Sequence, residues 1–227
     1  RDLFIGLPGL TLVIDEVSKY EQVMGTACKA IKHFINGEPN ELKIYEMEHP
    51  DVLLWAVWCI QQYAKMVSRE KCREKYGELL EDIMEFIRKG GHENLFVHSN
   101  GLVYANGSEN AITWMNSTAN GRPVITRTGY IVEFNALWYN ALRFVADLLG
   151  EKESTLFTES LNEIAENAGK AFVDTFLNEH GYLLDYVDGN MMDWSVRPNM
   201  IFAAAFDYSP LNAKQKKGVV DICTKEL

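Results

Sequence analysis

Cysteine is sparse and never arranged for metal or disulfide chemistry: Cys28, Cys59, Cys72 and Cys223 lie far apart, with no CxxC pair. That spacing argues against a structural zinc site. A chain of 227 residues can bury a core without disulfide staples, so reduced thiols in a reducing, cytoplasmic compartment are expected. Histidine is equally scattered. His33, His49, His92, His98 and His180 show no HxxxH spacing, and no phosphate-cradling glycine loop is present, so neither a metal nor a cofactor is expected. No run of about 18 apolar residues occurs and no signal leader opens the chain, which argues against a membrane span. Positive charge is also short: 22 Lys and Arg stand against 32 Asp and Glu, a net charge of −10, which disfavours nucleic acid and anionic membranes as partners. The tripeptides starting at Asn106 and Asn116 match the glycosylation sequon, a pattern that carries little weight alone.

What the sequence does have is helical periodicity. Tyr20, Val23, Ala27, Ala30, Ile31 and Phe34 recur at three- and four-residue spacings, predicting a helix from Ser18 to Ile35 with Ser18 as its cap and Asn36-Gly37 as its stop. Pro50 to Val67 is apolar nearly all round and should be buried on most sides, whereas Arg69 to Lys89 keeps a charged face and suits an outer position. Further helices are expected at Glu133 to Leu149, Thr155 to Leu177, Pro198 to Asp207 and Ala213 to Lys225. Leu95 to His98, Leu102 to Tyr104 and Tyr182 to Val187 have strand character. Buried helices alternating with amphipathic ones describe an inner and an outer ring. The expected fold is therefore mainly α, an incomplete (α/α)6 toroid of seven or eight helices in one domain, with short β pieces in its loops. Twelve helices would close such a ring, so the chain reads as a piece of a larger unit, and an exposed apolar edge would favour self-association.

The chemistry should sit in the loops at the rim of the inner helices. Gly90 to Tyr130 is the longest stretch without helical pattern, longer than a compact domain normally tolerates without a functional reason. Sugar recognition needs flat aromatic rings for the apolar face of a pyranose, with carboxylate, amide and guanidinium groups for its hydroxyls. Trp114, Arg127, Glu133, Asn135, Trp138 and Tyr139 supply both kinds within ITWMNSTANGRPVITRTGYIVEFNALWYNAL. Trp138 and Tyr139 equally suit the core of an inner helix, whereas Glu133 and Asn135 are harder to dismiss as ligand groups, a cap role at the positive end of that helix being the lesser alternative.

These motifs resemble the glucosidase half of glycogen debranching enzymes, whose pattern here is Thr-Trp-Met-Asp, Thr-Pro-Arg-x-Gly and Val-Glu-Ile-Asn-Ala-Leu-Trp-Tyr-Asn. RDLFIGLPGL, HPDVLLWAVWCIQQY and VRPNMIFAAAF continue the resemblance in the family's order, from Arg1 to about Phe206. The resemblance implies hydrolysis of α-1,6-linked glucose in glycogen or a branched α-glucan oligosaccharide. It places Arg1 and Asp2 in the innermost subsite, Asp51 and Trp55 near the cavity, and Arg197 and Asn199 among the ligand contacts. Arg197 could equally pair with Asp185 or Asp193.

The decisive departure is Asn116, which stands where the family places its general acid. A carboxamide donates hydrogen bonds but has no proton of usable acidity near neutral pH. Three readings stand open: a variant served by a neighbouring carboxylate such as Glu109 or Glu133, a binding-only relative, or a replacement that traps substrate. The resemblance also implies a general base beyond Leu227, so little or no turnover is expected. A silent carbohydrate-binding toroid is the alternative, and a sugar epimerase or polysaccharide lyase a more distant one.

Overall fold

Eight α-helices and seven short strands make up the computed structural model, which describes residues 1–39 and 46–227. The helices are α1 (Asp2–Leu10), α2 (Val17–Ile35), α3 (Val52–Met66), α4 (Arg69–Arg88), α5 (Val132–Gly150), α6 (Leu156–Phe176), α7 (Ile201–Ala205) and α8 (Ala213–Glu226). Their packing follows the alternation in the sequence. The odd-numbered helices touch in order, α1 to α3, α3 to α5 and α5 to α7, while α2 packs on α4, α6 on α5 and α8 on α7. Most residues of α3 and α5 are buried, whereas α4 and α6 bury one face. The helices thus form an open part of a ring, with α1, α3, α5 and α7 as an inner layer and α2, α4, α6 and α8 as an outer one around one continuous apolar core.

Three helices depart from the sequence expectation in more than a slight shift of their bounds or in their capping. Ser18 lies inside α2, because a 3-10 turn at Leu12–Ile14 and the left-handed residue Asp15 begin the helix one residue earlier at Val17. The segment from Pro198 splits into a 3-10 turn, Pro198–Met200, and the five-residue α7. α1 lacks a sequence expectation altogether: Gly6, Pro8 and Gly9 weaken its helical pattern, yet Phe4, Leu7 and Pro8 are buried and packing on α3 holds it. Thr155 and Asn212 close capping boxes at α6 and α8.

The strands pin the long loop to the helices. β1 (Leu95–Val97) pairs with β2 (Val103–Ala105), and β3 (Thr118–Ala119) pairs with β4 (Arg122–Pro123). β5 (Tyr130–Ile131) pairs with β6 (Tyr186–Asp188), which pairs with β7 (Met191–Met192), all antiparallel. The β5–β6 pairing matters most for the site, since it sets the start of α5 beside Asp185, whose carbonyl accepts from the Val132 amide at 3.1 Å. Close approach there requires Gly129 at φ +93, where a Cβ would sit 2.3 Å from the Val187 carbonyl oxygen.

The four cysteines are unpaired, with Cys59 and Cys72 buried. Among the described residues no helix is long and apolar enough to cross a membrane, and no group of three or more His, Cys, Asp or Glu side chains is gathered as metal ligands.

Gly101 links the β1–β2 turn to two helices. Its carbonyl accepts from Trp138 Nε1 at 2.9 Å, and at φ +85 a Cβ would stand 2.7 Å from the Ala168 amide nitrogen. Gly90 has a similar φ of +72 but open space around it. Gly101→Ala should therefore lower the unfolding free energy by more than about 3 kcal/mol, against about 1 kcal/mol for Gly90→Ala, in urea titrations. Equal losses would show that the tight contact with α6 does not matter.

Candidate functional site

Arg127 is the centre of a buried ion cluster at the start of α5. Its Nε donates to Asp185 Oδ2 at 2.9 Å and its Nη2 to Asp185 Oδ1 at 3.0 Å. The same guanidinium holds both oxygens of Glu133, Nη2 lying 2.7 Å from Oε2. The Arg127, Glu133 and Asp185 side chains are each about 1–2% exposed. Arg197 adds Nη1 bonds to Asp185 Oδ2 at 2.7 Å and Asp193 Oδ2 at 2.8 Å. Three carboxylates thus face two guanidinium groups, leaving one negative charge in excess where little water reaches. Complete burial and the nearby Asp185 push the Glu133 carboxyl above its usual range, against the pull of Arg127. Those two carboxylates raise the Arg127 pKa, so its charge is permanent. Asp193, held by Ser195 and Arg197, is lowered despite partial burial.

A second ion pair builds the other side. Arg1 Nε and Nη2 donate to Asp51 Oδ2 and Oδ1 at 2.5 and 2.8 Å, and Nη2 also reaches the Ile112 carbonyl at 3.3 Å. Asp51 Oδ2 further accepts from Trp55 Nε1 at 3.2 Å. Arg1 and Asp51 are both buried, so the pair is a fixed bidentate clamp between the start of α1 and the start of α3.

Between the two clusters lies a cavity of about 310 Å³. Arg1, Asp2, Asp51, Trp55, Trp114, Glu133 and Asn199 line it, along with Ile5, Pro198, Ile201 and Phe202. Trp55 meets Phe202 edge to face at 5.3 Å, which makes one wall aromatic. Asp2 is exposed and, alone of the lining carboxylates, makes no salt bridge among the described residues. Trp114 is 48% exposed and its Nε1 donates to Asn199 Oδ1 at 2.8 Å.

Other expected residues lie away from this hollow. Asn135 is buried, with its amide bonded to Val103 N and O and to the Ile131 carbonyl, so it staples β2 to α5. Trp138 is fully buried and bonded to Gly101, and Tyr139 packs its ring against Gly169 of α6. Arg127 and Arg197 stand behind the lining as ion-pair partners. Asn116 is exposed two residues past Trp114, and Glu109 is exposed too; neither is in the lining. In the sequence Asp185 stands out only as one possible partner of Arg197, whereas in the structure it binds Arg127, Arg197 and Asn199 together. A lone Asp in a strand-like segment gives no local sign of such a role.

Arg127→Met leaves Glu133 buried without a guanidinium and Asp185 with only that of Arg197, and should cost about 3–5 kcal/mol in urea unfolding at pH 7. The loss should shrink on acidification, because the Glu133 carboxyl, whose pKa burial already raises, then becomes neutral and its uncompensated charge disappears. A loss that is the same at pH 5 and pH 7 would assign it to packing instead.

No curated protein matches the chain. The family model described as amylo-alpha-1,6-glucosidase matches residues 1–227, and the chain therefore belongs to the amylo-alpha-1,6-glucosidase family of glycoside hydrolase domains.

Proposed function

We propose that this chain forms the glucose-binding part of a debranching glucosidase site, takes α-1,6-linked glucose of glycogen or a related branched α-glucan, and turns it over little or not at all. The observation that carries the reading is the cavity itself, where side chains from five separate stretches meet around about 310 Å³. Such a volume is at the small end of ligand pockets and suits a terminal sugar ring rather than a long chain. Trp55 and Trp114 offer apolar faces to a pyranose, and Asp2 offers oxygen atoms to its hydroxyls.

The weak turnover follows from which protons are available. Asn116, at the position the family gives to its acid, carries none. Both oxygens of Glu133 are bonded by Arg127 and both oxygens of Asp51 by Arg1, so a proton on either must displace an existing bond. Glu133 retains the raised pKa of a potential donor, and it is the substitute acid if any turnover occurs. The silent-binding alternative rests on the same Asn116. Leu10 at the end of α1 and Val13 and Ile14 just after it are exposed and supply the apolar seam through which copies would associate.

Calorimetric titration should show binding of isomaltose or branched dextrin in preference to maltose. Trp114→Ala should weaken that binding about tenfold. No binding of any of the three saccharides would defeat the proposal, and so would robust glucose release from branched dextrin by the unsubstituted chain. In a full-length chain that also carries the expected general base, Asn116→Asp should raise glucose release by about 10²-fold or more, the usual contribution of a general acid. Binding without any gain from Asn116→Asp in that full-length chain would select the silent-binding alternative.

A further inference from the structure

Asn199 and Trp114 are 85 residues apart in sequence and meet at 2.8 Å. The direction of that bond is dictated from below. Asp185 Oδ1 lies 2.7 Å from Asn199 Nδ2, and an ionised carboxylate can only accept, so the amide must turn its NH2 group toward Asp185. Its oxygen then faces outward to the one group that can only donate, the indole N–H of Trp114. Asp185 is itself oriented by two bonds from Arg127. A chain of fixed polarity therefore runs from Arg127 through Asp185 and Asn199 to Trp114.

Asn199 is 1% exposed, so it is fixed in the framework, whereas Trp114 is 48% exposed. Trp114 itself lies outside helix and strand, beside a local turn in which Met115 N donates to Thr113 Oγ1 at 3.1 Å. Asn199 Nδ2 also lies 3.5 Å from Met115 Sδ, a second touch on the same loop. Without these contacts the indole would sample several rotamers, and binding a sugar would have to freeze it first.

We propose that Asn199 is a positioning residue, which holds the Trp114 indole as a wall of the cavity, and does not itself meet the ligand. The inference rests on the glucose-binding reading for its purpose, but its geometry can be tested without any sugar. In a chain labelled with 5-fluorotryptophan, the Trp114 fluorine signal, identified by Trp114→Phe, should be single and narrow. The Trp114 indole N–H should exchange with solvent far more slowly than a half-exposed indole with no acceptor. Asn199→Leu should shift and broaden the Trp114 signal while those of Trp55, Trp58 and Trp138 stay in place, and should weaken isomaltose binding about fivefold, as expected for one lost hydrogen bond. Trp114→Phe should add little to the affinity loss in the Asn199→Leu background.

An unmoved Trp114 signal in Asn199→Leu with reduced affinity would make Asn199 a direct ligand and overturn the proposal. Fast indole exchange in the unsubstituted chain would overturn it as well, and that measurement decides the matter even if Asn199→Leu does not fold. Absence of saccharide binding would remove the glucose-binding reading, while the fluorine and exchange results would still decide the positioning role.

Discussion

A single guanidinium bonded to two buried carboxylates is the constraint on which the rest of the site depends. Arg127 cannot lose its proton, and its planar fork bonds Glu133 on one edge and Asp185 on another. The three groups come from the end of the long loop, the first turn of α5 and the segment before β6. Pairing them brings those segments together at distances that neither side could relax, because an unpaired charge at this depth would be far costlier than any strain relieved. The β5–β6 ladder and Gly129 supply the backbone approach that lets the charges meet.

The Arg1–Asp51 clamp repeats the principle across the cavity. Each ion cluster orients one indole through its Nε1: Asp51 holds Trp55 directly, and Asp185 holds Trp114 by way of Asn199. The lining is thereby organised before any ligand arrives, with the charges largely occupied by one another and aromatic faces left open. Asp2 stands outside this pattern as an exposed carboxylate. The same economy explains the poor supply of acidic protons, since a carboxylate that anchors a clamp is not readily protonated without loosening it.

Much of the helical framework was legible from spacing alone. α2, α3, α4, α5, α6 and α8 all start and end within two residues of the periodic runs, because burial of one face imposes the 3.6-residue repeat on composition. α1 was not legible, since Gly6, Pro8 and Gly9 hide a helix that tertiary packing stabilises. Within α5 the sequence could not say which polar residue faced inward. Glu133 lines the cavity, whereas Asn135 and Trp138 follow it by about 200° and about 140° around the helix and so face β2 and the β1–β2 turn. Asn140, seven residues on and about 20° from Glu133, lies on the same side and pairs with Gln61 of α3. With apolar residues on nearly every side of α5, no stripe marks the inward face.

What the sequence by itself determined was the set of helices, the alternation of inner and outer layers, and the inventory of side chains suited to sugar. Those properties depend on neighbours a few residues away, and periodicity records them. Which of those side chains share one hollow was decided only by the tertiary structure, through bonds such as Arg1 to Asp51, Arg127 to Asp185 and Trp114 to Asn199. Hydrogen-bond and charge partners are selected by distance in space, and no local pattern in the chain encodes a contact 50 to 85 residues away.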